Sequence, residues 1–295
     1  MLFLIAFLFG FQENGIGIQI EDLGIQQFDT FDEQFSTYFE VYNNEVMPGK
    51  LRDHRYGEEF PLPEKSLIAI KFQMLHERNM LLLEVAYEQG RYNDHQAAGH
   101  TVASLRMLAD SQVAGNLFDK GRAIYQDLLG YYEGMSVVPT VYYEIAKLEG
   151  RHGKADEEIR LLRQATHVPG FANTPFPGFL DDHLRILEHL GRKLHENGDD
   201  EGASEVYKTY FEKAAKWRYY IDEMRSATLP LIESMPQAYQ IKNLRTTVAS
   251  LKANKGSSSD AIQANLGVKR GTNYQESEKH LLIRNWKKMR RQKGA

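Results

Sequence analysis

A helix-pair spacing in the middle of the chain constrains the fold more than any other feature. Leu187, Leu190 and Leu194 fall at helical intervals around Gly191, and Ala203, sixteen residues after Leu187, and Tyr207 follow. Gly191 and Ala203 remove bulk from one line on each of two successive helices, and antiparallel helices approach closely only where bulk is missing. The same offset separates Leu105-x2-Leu108-Ala109 from Gly121-x3-Tyr125. A looser version runs from Tyr142-x2-Ile145-Ala146 through Gly153 to Ile159 and Ala165, with Glu158 where a small residue is expected. Gly90-Arg91-Tyr92 and Gly198 to Ala203 read as turns of the same kind.

This layout resembles the tetratricopeptide repeat over roughly residues 80–216. The resemblance implies an all-α fold: an αα-hairpin right-handed solenoid whose stacked pairs form a groove for protein or peptide and perform no chemistry. The motifs start at Leu105, Tyr142 and Leu187, and the second interval is longer than a regular array allows. The excess coincides with Pro169–Gly178, whose three prolines cannot all sit inside a helix. Phe171, Phe176 and Phe179 in and beside this loop are too apolar for idle exposure and are expected to pack between helix pairs or anchor a partner.

Both ends differ from the middle. Residues 1–49 hold eight acids and no Lys or Arg, whereas from Lys279 onward there are seven cations and no acid, within a net charge of −4. Phe28, Phe31, Phe35, Tyr38, Phe39 and Tyr42 fall at helical spacing among those acids. The domain reading is an irregular, acidic, aromatic N-terminal arm over 1–63, a helical-repeat domain over 64–253, and a flexible joint with a basic C-terminal helix over 254–295. Leu67, Ile70, Met74, Leu75, Leu81, Leu82, Val85 and Ala86 give the first helix of the repeat domain a broad apolar stripe.

Met1 to Phe11, MLFLIAFLFGF, is shorter than the ~20 residues that span a bilayer. It lacks the basic start and small-residue cleavage site of a signal peptide. Three origins stay open: a buried strand or helix, a secretory or anchoring segment, and a non-native start. The compartment is accordingly open between an intracellular or organellar site and a secretory or membrane-associated one. The chain has no cysteine, which removes disulfides and thiolate metal ligands.

Little in the sequence asks for catalysis. The histidines are dispersed: His183, His189 and His195 are six apart, which does not place two imidazoles on one helix face. Acid runs such as Asp156-Glu157-Glu158 and Asp199-Asp200-Glu201 sit at helix starts, where the helix dipole favours negative charge. No cofactor, metal or catalytic residue is expected. In the tetratricopeptide register the first helix of each pair lines the groove. That register assigns Tyr143, Lys147, Arg185, Glu188, Arg192 and His195 to partner binding, with Arg and Lys suited to carboxylates. Arg284, Trp286, Lys287, Lys288, Arg290 and Arg291 read as a surface for nucleic acid or anionic lipid, with Trp286 as a stacking ring. The function expected is a non-catalytic scaffold for protein subunits of a larger assembly. The alternatives are an RNA- or ribosome-associated subunit and a membrane-complex subunit anchored by residues 1–11.

Overall fold

The computed structural model describes residues 28–50, 65–168, 171, 177–216 and 272–293. Every regular element among them is a helix: α1 Phe31–Glu45, α2 Lys65–Glu88, α3 Asp94–Ala114, α4 Phe118–Tyr131, α5 Val138–Arg151, α6 Ala155–His167, α7 Pro177–Glu196, α8 Asp200–Lys216 and α9 Thr272–Lys293. Starts and stops follow local chemistry. Asn93 and Gln96 form a reciprocal capping box at the head of α3. Asp156, Glu157 and Glu158 occupy the first turn of α6, at the positive end of its dipole. The hairpin turns place Gly90, Gly153 and Gly198 in the left-handed region, where a side chain would be strained.

The chain divides into two compact units, Met1–Ile124 and Tyr125–Ala295, so the boundary falls inside α4. In the first unit α2 and α3 form an antiparallel pair, and α1 lies on α2 and more lightly on α3. The residues read as an irregular arm are, from Phe31 to Glu45, a helix of this unit, capped by Thr30. Tyr38 and Tyr42 on its inner face join Phe72, Leu75, Met107 and Leu108 in the core. Tyr42 donates to the buried Asp110 carboxylate at 2.6 Å, and Lys50 lies 2.5 Å from the same oxygen. The acids of this segment are also used locally: Glu45 pairs with Lys71 at 2.6 Å, and Asp32 accepts from Tyr92. That bond and burial push the Tyr92 hydroxyl up to about 12, burial contributing most.

In the second unit α5 pairs with α6 and α7 with α8, and α7 packs on α6 and along α5. Each close approach has a small residue under it. A Cβ on Gly191 would lie 2.6 Å from the Tyr207 ring, so the ring of α8 fills the space that α7 leaves empty. Leu187, Leu190, Leu194, Ala203 and Tyr207 are all buried around that contact. Among the described residues the architecture is all-α and built from antiparallel helix pairs. Earlier in the chain the α3–α4 approach obeys the same rule, a Cβ on Gly121 meeting Ala109 O at 3.2 Å.

The C-terminal helix α9 is an integral part of its unit. Leu282 and Trp286 are buried, and Asn285 Nδ2 donates to the carbonyls of Tyr131 and Glu133, capping the end of α4 from outside. Met289 occupies the space beside Gly130. Residues 217–271, including the joint read at Lys255–Ser259, lie outside the described residues.

Candidate binding surface

Helix α5 begins with Pro139 in its first turn, where a missing N–H loses no helical bond. From there Thr140, Tyr143, Glu144 and Lys147 advance along one face at i, i+3, i+4 and i+7. Because α7 lies along α5, this face meets Asp182 and His189. Thr140 Oγ1 donates to Asp182 at 3.3 Å, and the His189 ring stands edge-on to Tyr143 at 5.7 Å. Lys147 Nζ sits 5.2 Å above the Tyr143 ring and 3.0 Å from Glu144.

A buried polar seam continues this contact. Glu158 on α6 is 3% exposed, and a Cβ on Gly150 would lie 2.4 Å from its carboxylate. Gly150 therefore supplies the room that the repeat pattern expects at position 158. One carboxylate oxygen lies 2.8 Å from His189 Nε2 and the other 3.6 Å from Lys193 Nζ, so α7 provides both partners of a carboxylate on the preceding pair. A buried carboxylate is tolerated only with such partners. The signal was present in the sequence as an exchange: the large acid at 158 with a glycine eight residues before it.

The structure separates the residues assigned to the partner face. Tyr143 is buried and Lys147 is engaged with Glu144 and Tyr143, so these two point into the seam rather than to an open groove. His195 is half-buried with Nδ1 2.5 Å from Asp200 at the start of α8. Arg185 and Glu188 are half-buried and Arg192 is exposed, with its Nε 4.0 Å from Glu188. The outward polar face is thus Arg185, Glu188 and Arg192 on α7.

Phe171 is buried, stacked on His183 at 4.3 Å, with Lys213 of α8 4.6 Å over its ring and bonded to its carbonyl. Burial chiefly, and the Lys213 charge beside it, hold the His183 imidazole down at about 4. Phe176 lies outside the described residues; Phe179 falls in the first turn of α7, and its side chain is not described.

At the C-terminus the reading of a stacking platform is corrected. Trp286 is 5% exposed, covered by its own unit, with Arg290 over its ring. Lys288 lies 3.0 Å from Glu133 and Lys293 2.6 Å from Asp127. Lys288 also holds the exposed Glu133 carboxyl below its usual range, by its hydrogen bond first and its charge second. Arg284, Lys287, Arg290 and Arg291 are exposed. A ring buried in the core offers no face to a base. Among the described residues no group of three or more His, Asp or Glu is placed to hold a metal, and no helix is long and apolar enough to cross a membrane. Residues 1–11 lie outside the described residues.

No protein-family model and no curated protein matches the chain. Two solved structures are similar to it, both of a Podosopora anserina chain described as a kinesin light chain with nearly identical TPR-like repeats. The first shares 16% identity over 80% of this chain and 95% of that one, with a TM-score of 0.40. The second shares 14% identity over 77% and 97%, also with a TM-score of 0.40.

Proposed function

We propose that this protein is a non-catalytic helical-repeat scaffold that holds protein partners within a larger assembly. The observation that carries the reading is the side-by-side placement of α5 and α7, locked from beneath by Glu158, with Arg185, Glu188 and Arg192 left on the outer face. A rigid base carrying long charged side chains suits recognition of an acidic peptide or loop, because a guanidinium offers a two-pronged fork to a carboxylate.

The test is capture from native extract by the full chain, followed by mass spectrometry, against the Arg185→Glu/Arg192→Glu double variant. Loss of one specific set of proteins, with an unshifted melting curve, supports the reading. Unchanged capture removes α7 as the binding face. Salt-sensitive retention of RNA would replace the scaffold by an RNA- or ribosome-associated subunit. Recovery only in detergent would replace it by a membrane-complex subunit.

A further inference from the structure

Helix α2 is apolar on two opposite sides. Its inner side, Ala69, Phe72, Leu75, Leu83 and Ala86, is buried against α1 and α3. The broad stripe expected from the sequence is therefore divided, and its remainder points outward. Ile70 is 38%, Leu81 56% and Val85 46% exposed, with Leu67 and Met74 half-buried on the same line. At 3.6 residues per turn these five fall on one strip, diametrically opposite the buried one. A helix that is hydrophobic all round is a buried helix, and among the described residues this one has cover on one side only.

The borders of the strip differ. On one side Lys71 is engaged with Glu45, and Arg78 donates to the Phe28 carbonyl at 2.8 Å, so the cations are held by α1 and its approach. On the other side, and between the apolar residues, stand Glu77, which accepts from Gln73 at 2.7 Å, the half-buried Glu84, itself engaged, and the exposed Glu88. Phe39, 51% exposed on α1, adds a further apolar ring to the surface of this unit.

We infer that the outer strip of α2 is a docking site for an amphipathic partner helix that carries Lys or Arg beside its apolar face. Apolar residues at i, i+3, i+7, i+14 and i+18 (Leu67, Ile70, Met74, Leu81 and Val85) form a ridge that such a helix can pack on, and the acidic border selects its charge. A second copy of this chain fits poorly. Antiparallel two-fold pairing sets each acidic border against its own kind, and parallel pairing sets it against Lys71 and Arg78, which α1 already holds. An anionic membrane fits poorly as well, because the same acids repel it.

The natural absence of cysteine gives a direct test. Leu81→Cys in the full chain introduces a single thiol on the strip, to be labelled with an environment-sensitive fluorophore. The probes are two synthetic helices of about 18 residues with an identical leucine face, one flanked by lysine and one by glutamate. The expected result is fast labelling, a blue shift with the lysine-flanked probe, and at least about tenfold weaker binding of the other. Glu84→Lys/Glu88→Lys in the labelled chain should reverse that preference. Equal binding of both probes, or binding of neither, overturns the inference. So does slow labelling of the full chain: light scattering then tells a second copy from cover by the chain's own residues.

Discussion

At the residue scale, stability is concentrated where a missing side chain lets two helices touch. Gly191→Ala would place its new carbon against the Tyr207 ring, and Ala203→Leu would overfill the same contact. Each should cost about 1–3 kcal/mol in urea denaturation. Gly99, inside α3, is the control: nothing lies within 4 Å of a Cβ there. Gly99→Ala is expected to stabilise the protein by roughly 0.5–1 kcal/mol, because only helix propensity changes. An unshifted midpoint for both Gly191→Ala and Ala203→Leu would remove the contact from the account.

At the element scale, α9 belongs to the core of its unit despite its charge. Deleting residues 272–295 removes Leu282, Trp286 and the Asn285 cap of α4 together. That deletion is expected to lower the melting temperature of the whole protein, not merely to trim a solvated tail. Trp286→Ala alone should cost about 3–5 kcal/mol, since it empties a buried site. The exposed pairs Lys288–Glu133 and Lys293–Asp127 contribute little and are screened by salt. Raising the salt concentration should therefore leave α9 docked, with its amides still protected in hydrogen exchange.

At the scale of the whole molecule, pH acts through His183. Its imidazole is held near 4 in the folded chain, mainly by burial, while an unfolded chain takes up that proton at about 6.5. Below pH 6.5 the unfolded state binds the extra proton and is favoured, and the loss stops near pH 4, where the folded state binds it as well. Stability should fall on the order of 3 kcal/mol across that window from this group. Denaturation curves at pH 7 and pH 5 test this, with His183→Gln flattening the difference. A variant that keeps the full pH dependence would assign it to other groups.

The sequence by itself determined the helix pairs. Gly191 with Ala203 and Tyr207, Ala109 with Gly121, and the turn glycines are local facts, because a hairpin's partners lie within some thirty residues of each other. The face of a helix is also local: register alone puts Arg185, Glu188 and Arg192 on one side of α7. What covers a face is a long-range matter that only the tertiary structure decided. Periodicity marks the aromatics of α1 as a stripe and a run of cations marks Trp286, yet neither tells whether a ring meets a partner or the chain's own core. Residues such as Tyr131, some 150 positions away, settle that for α9. For the same reason the sequence put Tyr143 on an open groove: its cover, His189 of α7, comes from the next helix pair. A buried polar contact has no period, so spacing along one helix carries no trace of it.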